Sequence, residues 1–169
     1  KEIFEQPKAV KDTILPLIKN NEIHLPFQFP ENYIDNLNRI YIVACGSAYH
    51  VGVAAQYVFE ELTSIQVRVE LASEFRYRKM KLNKNSLVIV ISQSGETLDT
   101  LAALREAKSK GARILSVVNV VGSSVARESD DVFYTWAGPE IAVASTKAYT
   151  TQLMCMYLIA LYMGRTKGT

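Results

Sequence analysis

Along most of the chain, short apolar runs alternate with longer segments in which apolar residues recur every three or four positions. Runs of strand length occur at 39–44, 66–71, 87–91, 114–118 and 131–136. Helical spacing marks the longer segments at 47–63, 97–110 and 145–163. Because the central runs are apolar on both faces, the pattern predicts parallel strands that are covered by helices on both sides.

We therefore predict an α/β fold with a doubly wound, five-stranded parallel sheet flanked by helices, as in flavodoxin-like and Rossmann-like proteins. The expected strand order is 2-1-3-4-5, which places a ligand outside the carboxyl ends of strands 1 and 3. A helix after Pro7 and a proline-flanked connector precede the sheet. The chain is expected to form a single domain over 1–169, with 1–38 as N-terminal helix and connector and 39–169 as the α/β core.

The loop after strand 3 carries the strongest functional signal. It reads Ser92-Gln93-Ser94-Gly95-Glu96-Thr97 and is followed at once by a helix. A helix N-terminus offers unpaired N–H groups to a phosphate, the three hydroxyl groups would add donors, and Gly95 would let the backbone come close. The alternative is that Ser94 and Thr97 only cap the helix. A second turn of small residues after strand 1, Cys45-Gly46-Ser47-Ala48, favours a ligand site.

Other phosphate-binding motifs fail on spacing. The chain has no G-x-x-x-x-G-K-[ST] segment, which would bind a nucleoside triphosphate. Gly46 and Gly52 do not form a dinucleotide-binding fingerprint, because the middle glycine of that motif is absent between them. A loop of hydroxyls without a lysine suits a small monophosphate better than a nucleoside triphosphate. Glu96 is expected in the first helical turn, directed outward, because an acid there is favourable to the helix dipole.

A third loop, at 138–147, opens the last helix. Ser145 is the expected N-cap of that helix. Val143 and Ala144 are expected to present backbone groups to a ligand. Lys147 is expected to be solvated or ion-paired rather than to form a Schiff base.

Charge and composition narrow the possible partners. The formal net charge of +2 gives no sign of a nucleic-acid or membrane-lipid partner. Cys45 and Cys155 are too few for a disulfide framework and indicate a reducing cytoplasm.

The polar opening is unlike a signal peptide, and the absence of an initial Met suggests an excised segment. The apolar stretch 153–163 is too short to span a bilayer and is expected to need cover from a homodimer partner or a missing domain.

The same three loops resemble the sugar isomerase (SIS) family. The resemblance rests on Cys45-Gly46-Ser47-Ala48-Tyr49-His50, Ser92-Gln93-Ser94-Gly95-Glu96-Thr97 and Val143-Ala144-Ser145-Thr146-Lys147. Segments 1–7, 72–78 and 137–140 narrow it to the glutamine:fructose-6-phosphate aminotransferases. Over its whole length the chain resembles the first of the two SIS domains in those enzymes.

This resemblance implies a hexose phosphate ligand, fructose 6-phosphate or glucosamine 6-phosphate. It assigns the phosphate to Ser92, Gln93, Ser94 and Thr97. It assigns the sugar to Cys45, Gly46, Ser47 and Ala48, and backbone contacts to Val143, Ala144 and Ser145. The family usually reads Cys-Gly-Thr-Ser where this chain reads Cys-Gly-Ser-Ala, so position 48 can offer an N–H but no hydroxyl.

The resemblance also implies that the family's catalytic residues lie outside this chain, so that it contains no catalytic residue and binds without turnover. The family needs neither pyridoxal phosphate nor a metal for this step, which implies no cofactor. The implied partners are a glutaminase domain and a second SIS domain. Two alternatives stay open: another SIS isomerase or deglycase acting on a different phosphosugar, and a non-catalytic SIS domain that senses sugar phosphates.

Overall fold

The computed structural model describes residues 1–168. The chain begins with a 3-10 turn, helix α1 (Gln6–Ile14), a second 3-10 turn and a short antiparallel pair, β1 (Ile18–Lys19) and β2 (Glu22–Ile23). The predicted helix after Pro7 is confirmed, with Pro7 in its first turn, where its missing N–H costs nothing. The pair β1–β2 was not predicted, because each strand has only two residues and the turn depends on two asparagines at positive φ.

The main sheet has five parallel strands: β3 (Arg39–Ala44), β4 (Val67–Leu71), β5 (Ser86–Ser92), β6 (Arg113–Val118) and β7 (Asp131–Tyr134). Their order is β4-β3-β5-β6-β7, which confirms the predicted 2-1-3-4-5 arrangement. Ala44 pairs with both Leu71 and Ile91, so the carboxyl ends of the first three strands meet at one edge. The connections reverse direction between β3 and β5, and that is where a ligand site is expected.

Helices cover both faces of the sheet. They are α2 (Ser47–Thr63), α3 (Ala72–Phe75), α4 (Leu98–Ser109), α5 (Ser124–Glu128) and α6 (Lys147–Lys167). On one face α1, α2 and α6 pack over a core that includes Ile40 and Ile42, and on the other α3, α4 and α5 pack over Tyr41 and Val43. This arrangement confirms the doubly wound α/β fold. The short helices α3 and α5 were not predicted, because four or five residues are too few to show a helical period.

Helix α6 is covered from inside the chain. It packs against α1 and α2, and of its large apolar side chains only Leu161 is exposed. At Gly164 the helix comes so close to α2 that an added Cβ would lie 2.8 Å from the carbonyl oxygen of Leu62. Two helices and the sheet thus cover most of this helix within the chain, and the expected homodimer or domain partner stays a prediction. Within residues 1–168, no helix is long and apolar enough to cross a membrane.

Candidate functional site

A cavity of about 410 Å³ opens at the carboxyl ends of β3 and β5. Three loops, the end of β5 and the N-terminal turns of α2, α4 and α6 line it: Cys45, Gly46, Ser47, Ala48, Ile91, Ser92, Gln93, Ser94, Thr97, Thr100, Glu140, Ala142, Val143, Ser145 and Gln152. All the residues that the sequence assigned to the site lie on this wall except Ala144, which lines a neighbouring cavity beside the N-terminal segment. The fold thus brings together loops that are about a hundred residues apart in the chain.

The loop Ser92–Thr97 is folded tightly around its own hydroxyl groups. The Ser92 hydroxyl accepts a hydrogen bond from the backbone N–H of Gly95 at 2.9 Å, and it lies 3.3 Å from the hydroxyl of Thr97. Gly95 has φ +65°, and a Cβ there would lie 2.1 Å from the hydroxyl oxygen of Ser123. Only glycine fits this position, because both the backbone conformation and the close approach exclude a side chain.

The carbonyl groups of this loop are occupied by a neighbouring segment. The backbone N–H of Asn119 donates to the carbonyl oxygen of Gln93 at 3.2 Å, and the N–H of Val125 donates to that of Gly95 at 3.0 Å. Two backbone acceptors are thereby engaged with the β6–α5 segment. A loop whose acceptors are engaged, and whose hydroxyls lie on a cavity wall, is suited to an anion.

Helix α4 begins beside the cavity without a side-chain cap. Thr97 is its N-cap residue, but the Thr97 hydroxyl makes no capping hydrogen bond. The Ser94 hydroxyl accepts from the N–H of Glu96 at 3.2 Å, which closes a turn before the helix rather than capping it. The capping alternative therefore does not account for these two hydroxyls. The N-terminal N–H groups of α4 remain available to a ligand, with the partial positive charge of the helix end.

Glu96 bonds the start of α5 and not the first turn of α4, where it was expected. Helix α4 starts only at Leu98, and the Glu96 carboxylate instead accepts a hydrogen bond from the backbone N–H of Ser124 at 2.7 Å, at the start of α5. This hydrogen bond lowers the pKa of Glu96. Glu96 is not among the residues that line the cavity.

The loop before α6 is held by a carboxylate. Glu140 accepts hydrogen bonds from the Ser145 hydroxyl at 3.0 Å and from the backbone N–H groups of Thr146 at 2.8 Å and Ala148 at 3.3 Å. The prediction of Ser145 as the N-cap is wrong, since Thr146 occupies that position and Glu140 satisfies the helix N–H groups. Glu140 also lines the cavity.

The N-terminal turn holds the same loop from outside. The Glu2 carboxylate accepts from the backbone N–H groups of Ile141 at 2.7 Å and Ala142 at 3.1 Å, and these bonds lower its pKa. Lys147 is buried and forms an ion pair with Glu5 at 2.6 Å, which confirms the ion-paired expectation. Its hydrogen bond lowers the pKa of Glu5.

Several wall residues were missed at the sequence level. Thr100 and Gln152 lie on apolar faces of helices α4 and α6. Glu140 lies too far before the first residue of α6, Lys147, to be recognised from the sequence as a capping residue. Their residue types give no signal in the sequence, because each becomes a wall residue only when the helices pack.

His50 is exposed and lies off the wall. Within residues 1–168, no cluster of three or more His, Cys, Asp or Glu could hold a metal ion.

Comparison with known proteins places this cavity in a recognised domain type. The sequence profile of the SIS domain family matches residues 33–162. The chain is 60% identical over 171 residues to the glutamine–fructose-6-phosphate aminotransferase (isomerizing) of Clostridium acetobutylicum, a match covering 100% of this chain and 28% of that protein. The enzyme of the same name from Clostridium tetani is 58% identical, with the same coverage. The chain therefore spans about 28% of the length of these relatives.

A solved structure shows the same fold. The C-terminal domain of glucosamine-fructose-6-phosphate aminotransferase from Francisella tularensis superposes with a TM-score of 0.92 at 43% sequence identity. The match covers 99% of this chain and 48% of that one. The present chain thus corresponds to about half of that solved domain.

Proposed function

The chain belongs to the SIS domain family, and on that premise we propose that its cavity binds a hexose 6-phosphate, either fructose 6-phosphate or glucosamine 6-phosphate. The observation that carries the proposal is the meeting of three polar loops in one cavity of about 410 Å³ at the switch point of the sheet. The names of its relatives, which are fructose-6-phosphate aminotransferases, support this ligand class.

The proposal places the phosphate on the Ser92–Thr97 loop. Hydroxyls from Ser92, Ser94 and Thr97 and the start of α4 lie on one side of the cavity. Hydrogen bonds from such donors to an anion are charge-assisted and hence stronger than neutral ones. With no lysine on this wall, the loop suits a monophosphate that carries a sugar.

The sugar then extends toward the other two loops. Ser47 would contribute its hydroxyl, and Ala48 its backbone N–H in the first turn of α2. Val143 and Ser145 line the same cavity from the loop before α6. Ala144 faces the neighbouring cavity, so in this proposal it contributes only backbone groups.

We further propose that the chain is the first SIS domain in the isomerase part of a cytoplasmic glutamine:fructose-6-phosphate aminotransferase. In this proposal residues 1–169 act as one binding domain, with 1–38 packed onto the 39–169 core, and catalytic groups come from a second SIS domain and a glutaminase domain. The chain matches only 28% of the length of its relative, which supports a longer parent protein. Val143 on the cavity wall and the nearby Ile141 are both exposed, which supports a covering partner, including a homodimer copy.

Calorimetry of the chain with fructose 6-phosphate, glucosamine 6-phosphate and glucose 6-phosphate in parallel tests the ligand. We expect the first two to bind and no glutamine-dependent amination of fructose 6-phosphate by this chain alone. Absence of binding to all three would reject the ligand class. Measurable amination would reject the proposal that the chain lacks catalytic groups.

A further inference from the structure

Two buried polar side chains form the floor of the cavity without any protein partner. Gln152 is 3% exposed and Thr100 is 1% exposed, and both line the cavity. Among residues 1–168, the only fully enclosed side-chain polar atom without a hydrogen bond is the Ser123 hydroxyl. The Gln152 amide and the Thr100 hydroxyl therefore reach the cavity surface, where no protein group bonds them.

An unpaired polar group this deep in a protein is costly unless something in the cavity bonds it. The amide of Gln152 carries two donors and one acceptor, and the hydroxyl of Thr100 both donates and accepts. Another buried hydroxyl of helix α6 is satisfied by the backbone. The Thr151 hydroxyl, beside Gln152 on α6, donates to the carbonyl oxygen of Lys147 at 2.8 Å. The two floor residues thus differ from their neighbours in facing the cavity rather than the helix.

The two groups come from opposite faces of the sheet. Thr100 lies in the first turn of α4, directly after the Ser92–Thr97 loop. Gln152 lies in the second turn of α6, which packs against α2 and therefore beside the loop that carries Ser47. A ligand whose phosphate rests on the Ser92–Thr97 loop would meet Thr100 at its phosphate end and Gln152 at its sugar end.

We infer that Gln152 is a specificity-determining residue that hydrogen-bonds a sugar hydroxyl, and that Thr100 adds a donor to the phosphate. This inference rests on the proposed function and extends it to the floor of the cavity. A carboxamide suits a polyol, because it can donate to one hydroxyl and accept from another. A phosphate oxygen uses only the donors.

Two variants separate the two ends. Gln152→Leu keeps the size of the side chain and removes the amide, and Thr100→Val removes the hydroxyl at constant shape. Both are titrated with inorganic phosphate and with fructose 6-phosphate at constant ionic strength, and the melting temperature of each is measured without ligand. Thr151→Val is the matched control, because Thr151 is buried in the same helix but its hydroxyl is bonded to backbone.

We expect Gln152→Leu to weaken fructose 6-phosphate about three- to tenfold and to leave inorganic phosphate unchanged. Thr100→Val should weaken both ligands by a similar factor. Neither should lower the melting temperature of the free protein, because no protein hydrogen bond is lost. Thr151→Val should lower the melting temperature and leave both affinities unchanged.

A purely structural role would give the opposite pattern. If Gln152→Leu lowers the melting temperature as Thr151→Val does, or weakens both ligands equally, the specificity role is overturned. If the wild-type protein binds fructose 6-phosphate and both floor variants bind it equally well, only this inference fails. If the wild-type protein binds neither ligand, the proposed function fails first, and this inference with it.

Discussion

Two of the loops that line the cavity are held in place by different means. The Ser92–Thr97 loop is fixed by contacts within itself and with the adjacent β6–α5 segment, as in the hydrogen bond from Gly95 to the Ser92 hydroxyl. The loop at 138–146 is largely exposed, and its backbone N–H groups donate to the carboxylates of Glu140 and Glu2. Glu2 lies 139 residues away in the chain.

We expect the two loops to differ in rigidity and therefore in how they take part in binding. A loop fixed by its immediate surroundings is preorganised, so little ordering would oppose the phosphate binding that we propose for it. A loop held through two carboxylates and the N-terminal turn can change its conformation when those contacts change. We therefore expect the phosphate end of the site to be insensitive to the N-terminal turn, and the sugar end to depend on it.

The largest expected effect comes from Gly95→Ala. Alanine in the left-handed conformation costs about 1–2 kcal/mol, and its Cβ would also collide with Ser123. Affinity for inorganic phosphate should fall by about tenfold or more, since the clash displaces the loop. Gly122→Ala is the control, because Gly122 also has a positive φ, of +72°, but nothing lies near its Cβ position. Equal loss of phosphate binding in both variants would contradict a specific role for the packing at Gly95.

The next effect is expected from Glu140→Gln. The amide keeps one acceptor oxygen but places an NH₂ group among N–H and hydroxyl donors, so the start of α6 and the loop before it should loosen. Charge-assisted hydrogen bonds contribute roughly 1.5–3 kcal/mol each, so fructose 6-phosphate should bind about tenfold more weakly. Inorganic phosphate should bind as before. A matched loss for both ligands would show that the two loops are not independent.

A smaller effect is expected from Glu2→Gln. Its carboxylate is solvent-exposed, so the loss should be at most about fivefold in fructose 6-phosphate affinity. Faster hydrogen exchange at the amides of Ile141 and Ala142 should accompany it. Glu22→Gln is the control for both glutamate variants, since Glu22 pairs with Arg165 at the far end of α6. Unchanged exchange in Glu2→Gln would mean that the N-terminal turn does not hold the loop.

The smallest effect is one of pH. Hydrogen bonds lower the pKa of Glu2 and of Glu96 below the ordinary value of 4.5. A carboxyl whose folded pKa is lowered stabilises the fold above its unfolded pKa, and the contribution disappears as the pH falls through the folded value. Protection of the Ile141 amide should therefore persist at pH 5 and be lost only as the pH falls through the lowered pKa of Glu2, below the ordinary value of 4.5. The amide of Gly95 should stay protected, because its acceptor is a serine hydroxyl.

The sequence reveals one side of this comparison better than the other. Strand order and the position of the cavity follow from buried apolar runs and from a general rule for doubly wound sheets. The Ser92–Thr97 loop was recognisable because all its polar groups are adjacent in the chain. Glu2 gives no such signal, since its partners at Ile141 and Ala142 depend on how α1 packs against α6.

The cavity-wall residues on helices could not be predicted from the sequence for a related reason. A polar residue on a mostly apolar helix face has the same pattern whether it meets a cavity or a neighbouring backbone, as Gln152 and Thr151 show. Trp136 is a further case, because the strand predicted to reach it ends at Tyr134 and Trp136 adopts a positive φ of 51°. Bulky residues rarely adopt that conformation, so no sequence rule would place it there.

The most direct test of the account compares Ser94→Ala with Ser47→Ala. Both variants are titrated with inorganic phosphate and with fructose 6-phosphate at constant ionic strength. If the Ser92–Thr97 loop binds the phosphate, Ser94→Ala weakens both ligands by about one to two powers of ten, and Ser47→Ala weakens only fructose 6-phosphate. If Ser94→Ala leaves phosphate affinity unchanged while the protein stays folded, the loop does not bind phosphate and the proposed site is wrong.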